Sequence, residues 1–330
     1  MKIKFPEGLG TEGIARSMTF IADIKDGDHI LGHYFCKFKQ TLRTKAGKPY
    51  YSIKLQDKTG VVETKVWDIT SDIQDFDEGE MIKIDADALL YQGEMQLKVY
   101  KLRRSREEEY NLADFVPVSK KGIDKMYAQI VGYIDTVQDP FIKTLLQNIV
   151  INDPERANAF KSRSAAKSMH HGYMGGLLEH TLAVVEICNF VASQYEYINR
   201  DLLLAGAILH DFGKIYELTP MPHNEYSDDG QMLGHIVIGV EMVGAEAAKI
   251  ENFPRQLASL IKHMIISHHG EFEYGSPKLP SIAEAMLLHF ADNMDAKLKT
   301  IEEVIESDVS PGPWAGYQKA LNRYIRKSEF

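Results

Sequence analysis

Near Ile123 the spacing of apolar residues in this chain changes from every second position to every third or fourth. A period of two lines one face of a strand, and a period near 3.6 lines one stripe of a helix. A chain that carries both, one after the other, must build a sheet layer first and a helical one after it. Before the change, "LGHYFCKFK" (31–39), "YYSIKLQ" (50–56), "VVETKVW" (61–67), "MIKIDADALL" (81–90) and "MQLKVYKL" (95–102) each alternate. Between them, "DKTG" (57–60) and "YQGE" (91–94) read as turns and "TLRTKAGKP" (41–49) as a basic loop. Five short alternating strands predict a small closed barrel. The alternation sends Tyr34, Cys36, Phe38, Tyr51, Ile53, Leu55, Ile82 and Ile84 inward.

The outer face of the first three strands then carries Phe35, Lys37, Lys39, Tyr50, Lys54, Lys65 and Trp67, with Arg43 and Lys45 on the loop. Cations interleaved with rings suit single-stranded nucleic acid, because charge tracks phosphates while rings stack on bases. The plainer alternative is a solvated strand face with scattered aromatics. A net charge of −9 argues against bulk electrostatic coating of nucleic acid and leaves room for a local basic groove.

After "RRSREEEY" (103–110), an exposed join, "KMYAQIVGYIDTV" and "FIKTLLQNIVI" predict a helical hairpin broken at Asp139-Pro140. The rest, to about Thr300, reads as mostly helix. The fold class expected is multidomain β + α. It comprises a five-stranded OB-like barrel over 1–112, a helical connector over 113–160, an all-α domain over 161–305 and a C-terminal tail over 306–330. The tail has a Pro/Gly break and a basic, aromatic end, suited to a neighbouring subunit or to substrate.

Most of the 12 histidines fall between His170 and His269, which directs attention to the helical half. His180 begins one apolar helix, and "ILHDFGKIYEL" ends another on His210 and Asp211. His235 opens a third, "HMIISHHGEFEYG" holds His263, His268 and His269, and "AMLLHFADNMDAKL" places Asp292 in a hydrophobic helix. An unpartnered carboxylate there would be costly. Any one histidine could be an ordinary core or surface residue. Five helices that each bring a metal-capable group inward are how a bundle builds a metal site.

The order His180, His210-Asp211, Asp292 resembles the HD-domain metal-dependent phosphohydrolases. That resemblance implies that these four residues bind one metal, that His235, His268 and His269 serve a second, and that Asp211 bridges the ions. The adjacent histidines are similar to those of the HD-GYP branch, but "HHGEFEYGSPKLP" lacks Gly-Tyr-Pro, which speaks against cyclic dinucleotide hydrolysis. A barrel followed by "HHGYMGGLLEHTLAVV" and "ILHDFGKIYEL" resembles the YhaM-type 3′–5′ exoribonucleases over nearly the whole chain. This implies a cytoplasmic enzyme that hydrolyses single-stranded RNA, and potentially single-stranded DNA, to nucleoside 5′-monophosphates. Two divalent ions are implied, manganese foremost, because imidazole-rich ligation favours Mn, Fe, Co or Ni over Mg.

Within that reading Asp211 is catalytic, Lys214 is expected to meet a phosphate oxygen, and His170 and His171 to contact substrate or protonate the leaving 3′-oxygen. Glu179, Glu271 and Asp295 are candidates to hold the ligands in place, with a solvated carboxylate the favoured reading of each, and His263 is read as a packing or ligand-supporting residue. Two alternatives stay open: an HD nucleotide phosphohydrolase with a regulatory barrel, and a non-catalytic single-strand-binding protein.

Other features narrow the field. No apolar run approaches the roughly 20 residues of a membrane span, and "MKIKFPEGLGTEG" has no apolar stretch of the signal-peptide kind. Cys36 and Cys188 lie far apart and read as reduced thiols, consistent with the cytoplasm. No Gly-x-Ser-x-Gly and no P-loop occurs. A homo-oligomer without membrane contact is expected.

Overall fold

The computed structural model describes residues 19–167, 171–308 and 310–328, so His170 lies outside the described residues. The chain separates into two compact units, Met1–Pro117 and Val118–Phe330.

The first unit is built on five strands: β1 (His29–Arg43), β2 (Pro49–Asp57), β3 (Gly60–Val66), β4 (Met81–Tyr91) and β5 (Glu94–Arg104). They close in the order β1-β2-β3-β5-β4. The β3–β5 seam is parallel and the other pairings are antiparallel. This is the five-stranded OB-like barrel that the alternation predicted. Tyr34, Cys36, Ile53, Leu55, Ile82 and Ile84 fill it at 1% exposure or less. A buried isoleucine contributes about 1.5–3 kcal/mol, which is why the alternating pattern holds its register. Asp57 builds the tight turn between β2 and β3: its Oδ1 accepts from Thr59 N at 2.7 Å and from Thr59 Oγ1 at 2.6 Å.

One strand departs from simple alternation. In β1 the register against β2 slips between Cys36 and Phe38. This is a β-bulge, and beyond it the two faces exchange. Phe38 pairs with outward-facing Lys54 and is 39% exposed, while Lys39 pairs with buried Ile53. The sequence expectation that Phe38 points inward and Lys39 outward is therefore reversed.

The second unit contains α1 (Ile123–Asp135), α2 (Pro140–Leu146), a π-helical turn at Gln147–Ile151, and α3 (Pro154–Ser162). Then follow α4 (Gly176–Ala192), α5 (Arg200–Leu209), α6 (Lys214–Glu217), α7 (Asp228–Met232), α8 (Gly234–Ala247), α9 (Arg255–Ser267) and α10 (Ala283–Ser307). The Asp-Pro pairs start helices as their chemistry requires. Asp139 caps α2 by accepting from Phe141 N and Ile142 N, and Asp153 caps α3 in the same way, each with proline at the first helical position. Residues from α1, α2 and α3 share one hydrophobic core with those of α4, α5, α8, α9 and α10. Every residue of α5 from Leu202 to Leu209 is buried, so α5 is the central rod of the unit. The chain ends in a hairpin, β6 (Trp314–Gln318) with β7 (Arg323–Arg326). No helix among the described residues is long and apolar enough to cross a membrane.

Candidate metal centre

Where α5 ends, the chain turns with His210 and Asp211 still fully inside the unit, at 0% and 3% exposure. Around this turn α4 brings His180, the start of α8 brings His235, the end of α9 brings His268 and His269, and α10 brings Asp292. The approach of α8 depends on glycine: a Cβ at Gly213 would lie 2.1 Å from the His235 carbonyl oxygen. All seven residues expected to hold metal are brought together.

Each of the five imidazoles is held by its Nδ1. His180 donates to Asp295 Oδ2 at 2.7 Å, His210 to Ala207 O at 2.9 Å and His235 to Glu217 Oε1 at 2.9 Å. His268 donates to Ile265 O at 2.6 Å and His269 to Tyr274 O at 2.9 Å. Carbonyl and carboxylate oxygens only accept, so each Nδ1 carries a proton, and Nε2 is the nitrogen left to ligate whenever the ring is neutral.

Those Nε2 atoms face the two oxygens of Asp211 from opposite sides. His180 and His210 lie 3.5 and 3.6 Å from Oδ2, whereas His235 and His268 lie 3.3 and 3.7 Å from Oδ1. Asp292 joins the first side, 3.2 Å from His180 Nε2. Two donor groups result, His180–His210–Asp292 and His235–His268–His269, the ligand atoms of each within 4.8 Å of one another. Asp211 Oδ1, His235 Nε2 and His268 Nε2 are buried without a hydrogen-bond partner. A buried, unpartnered acceptor costs about 1–3 kcal/mol. Three of them aimed at one space fit a divalent cation, the group that accepts lone pairs from imidazole and carboxylate alike.

The protonation states agree. Burial lowers His210, His268 and His269, most strongly His268, which keeps them neutral. Burial opposes ionisation of Asp211, but Lys214 and the surrounding histidines outweigh it and hold the carboxyl well below its usual range. Asp292 is held low in the same sense, with His180 as the largest opposing influence. His180 differs: burial works against its charge, yet Asp292 and Asp295 raise it to about 10 when no cation is present.

Lys214 Nζ sits 2.7 Å from Asp211 Oδ2 and lines, with His180, His268, His269 and Asp292, a cavity of about 430 Å³. Burial disfavours its charge, and Asp211 more than offsets that.

Several expectations need correction. His171 is 1% exposed, with Nε2 3.1 Å from Asp295 Oδ2 and Nδ1 3.1 Å from the Tyr173 hydroxyl. Both of its nitrogens thus have partners inside the unit, one of them the oxygen of Asp295 that also accepts from His180. Asp295 is not a solvated carboxylate, since its Oδ2 accepts from both His171 and His180. Glu179 is likewise buried, accepting from Ser119 Oγ at 2.6 Å beside Lys121 and Lys299. His263 stands apart, its Nε2 accepting from Ser281 N. Sequence reasoning missed Glu217, whose Oε1 receives both the backbone N and Nδ1 of His235.

On the barrel, Phe35 leaves the proposed nucleic-acid face altogether: it is 4% exposed and packs with Met81 and Phe115. Lys39 lies over the rings of Tyr51 and Phe76, at 4.6 and 4.1 Å, and donates to Phe76 O, so it too is withdrawn. Lys65 donates to Ser52 Oγ at 2.6 Å with 18% of its side chain exposed. Lys37, Arg43, Lys45, Lys54 and Trp67 are exposed, Tyr50 is half-buried, and the Tyr50 and Trp67 rings stack at 4.6 Å.

Comparison with known proteins places this geometry in context. Residues 177–297 match the HD domain family model. The 3′-5′ exoribonuclease YhaM of Geobacillus sp. (strain WCH70) is 35% identical over 287 residues, spanning 86% of this chain and 87% of the relative. Among solved structures, the second OB-fold domain of replication protein A from Methanococcus maripaludis overlaps 28% of this chain and 97% of its own, at 14% identity and a TM-score of 0.23. The p204 HINb domain overlaps 28% of this chain and 48% of its own, at 17% identity and a TM-score of 0.23.

Proposed function

The chain belongs to the YhaM-type 3′–5′ exoribonuclease family, and on that premise we propose that it shortens single-stranded RNA from the 3′ end. The products are nucleoside 5′-monophosphates, and two divalent ions, manganese foremost, would be held by His180, His210 and Asp292 and by His235, His268 and His269, with Asp211 serving both groups. One observation carries the two-ion reading: locked imidazoles direct lone pairs at both oxygens of one buried carboxylate. An imidazole-rich set suits Mn, Fe, Co or Ni better than Mg. When bound, the ions supply an activated water and neutralise the leaving oxygen.

The protein's own groups do the rest. Asp211 holds negative charge between the two donor groups and serves both. Lys214, on the cavity wall beside Asp211, would stabilise charge on a non-bridging phosphate oxygen. Asp295 and Glu217 keep His180 and His235 in the ligating tautomer. The barrel contributes the exposed Lys37, Phe38, Arg43, Lys45, Lys54 and Trp67 with the half-buried Tyr50, whose stacking and phosphate contacts tolerate any base. Single-stranded DNA fits the same contacts. Cytoplasmic residence and self-association belong to the same proposal. The buried free thiols Cys36 and Cys188 support the first. An exposed stripe on α10, Met286, Phe290, Met294 and Leu298, supports the second.

Incubating 5′-labelled single-stranded RNA with the protein and Mn²⁺ tests the activity. A descending ladder with release of 5′-monophosphates is expected, and intact RNA beside metal-loaded protein would overturn it.

A further inference from the structure

The hydrolytic reading makes no use of the C-terminal hairpin. β6 and β7 pair with Trp314 opposite Arg326, Tyr317 opposite Tyr324 and Gln318 opposite Arg323. One face is seated: Ala315, Leu321 and Ile325 are buried against Ile301 and Val304 of α10. The other face is open, with Trp314, Tyr317 and Tyr324 exposed by 55%, 49% and 63%. The two tyrosine rings already meet edge to face at 5.3 Å, and Tyr317 donates to Asn322 Oδ1, so the aromatic surface is set in place. Large rings left in water on a fixed surface mark a contact site.

Charge and position identify the partner. The hairpin, residues 314–326, contains Lys319, Arg323 and Arg326 and no aspartate or glutamate, within a chain of net charge −9. Lys327 pairs with Asp308 at 2.9 Å, while Lys319, Arg323 and Arg326 are exposed. The hairpin's turn, at Ala320 and Leu321, lines the same cavity as Asp211, Lys214 and Asp292. Tyr317 and Tyr324 are each three residues from that lining, at most about 11 Å along the chain. Rings for bases, cations for phosphates, and continuity with the hydrolytic cavity coincide on one element.

We propose that the hairpin is a second binding site for single-stranded nucleic acid, beside the metal cavity. Trp314, Tyr317 and Tyr324 stack on bases close to the scissile end while Lys319, Arg323 and Arg326 meet their phosphates. The proposal rests on the exonuclease reading for the identity of the strand, and its chemistry is that of sequence-tolerant stacking platforms.

The triple variant Trp314→Ala/Tyr317→Ala/Tyr324→Ala is compared with wild type on single-stranded RNA and on bis(p-nitrophenyl) phosphate, both with Mn²⁺. KM for RNA should rise by about tenfold or more, since stacked rings each contribute at that scale, with hydrolysis of the small diester retained. An unchanged KM for RNA overturns the proposal. So does an unchanged KM combined with a loss of self-association by light scattering, which assigns the face to a second copy of the chain. A measurement that leaves the hairpin intact accompanies it. The chain has two tryptophans, so in Trp67→Phe the emission comes from Trp314. Saturable quenching by a strand with a phosphorothioate 3′ end supports the site, and its absence at strand concentrations that saturate hydrolysis overturns it. Wild-type protein that fails to shorten RNA refutes the exonuclease reading instead, so the two failures are distinguishable.

Discussion

Replacing Asp295 with asparagine keeps the shape of the side chain and removes its charge. In the native site one oxygen, Oδ2, accepts from His180 Nδ1 at 2.7 Å and from His171 Nε2 at 3.1 Å, with 15% of the side chain exposed. An asparagine offers one neutral carbonyl oxygen, and its amide nitrogen repels any N–H that faces it. At least one bond weakens, and His180 is free to move its proton to Nε2, where the lone pair for the cation should be. A hydrogen bond to a charged partner contributes about 1.5–3 kcal/mol, which corresponds to roughly 10–150-fold in an equilibrium constant. Lost support of this kind at metal sites costs about 10–100-fold. Asp295→Asn should therefore raise the Mn²⁺ concentration for half-maximal activity by about 10–100-fold, with much of the rate recovered at saturating metal. Glu271→Gln, at an exposed residue just past the doublet, is the control and should leave the midpoint unchanged. An unchanged Mn²⁺ midpoint in Asp295→Asn would refute the view that this carboxylate sets the tautomer of His180.

Three further outcomes follow from the geometry. Phe38→Ala should weaken single-strand binding to the barrel by about 1–3 kcal/mol, whereas Phe35→Ala should lower barrel stability by about 3–5 kcal/mol; fluorescence titration and denaturant unfolding check each, and the reverse assignment would contradict the bulge. Burial pushes the Cys36 and Cys188 thiols up to about 12, so neither should react with iodoacetamide at pH 8 until urea unfolds the chain; stoichiometric labelling of native protein, read by mass spectrometry, would contradict this. Hydrogen bonds from Arg103, then from Arg106 N, hold the Glu109 carboxyl at about 2. Its folded value is depressed, so its contribution is present above the ordinary carboxylate range and disappears as pH falls towards about 2. Glu109→Gln should be less stable than wild type at neutral pH and converge with it in acid, and parallel pH–stability curves would contradict this.

What could be read from sequence, and what could not, divides along physical lines. The strand alternation at Ile82 and Ile84 and the buried His210-Asp211 pair are imposed by burial, which acts on residue type directly, so both were legible. The bulge after Cys36 was not, because one extra residue in a strand changes no residue type while exchanging the two faces of everything after it. Carboxylates that support the site, Asp295 and Glu217, look in sequence like any solvated acid, as does the buried Glu179. A signal did exist for Asp295, which lies three residues from Asp292 and so on the same side of α10. Nothing local distinguishes Glu217, whose partner His235 is 18 residues away.

In the proposed site one carboxylate, Asp211, holds two cation subsites apart. Metal content after equilibration with Mn²⁺ and gel filtration tests it most directly, in wild type, His235→Ala and Asp211→Ala. Two equivalents, one equivalent and essentially none are expected in that order. Asp211→Ala that keeps two equivalents, or wild type that takes up none, would contradict the account.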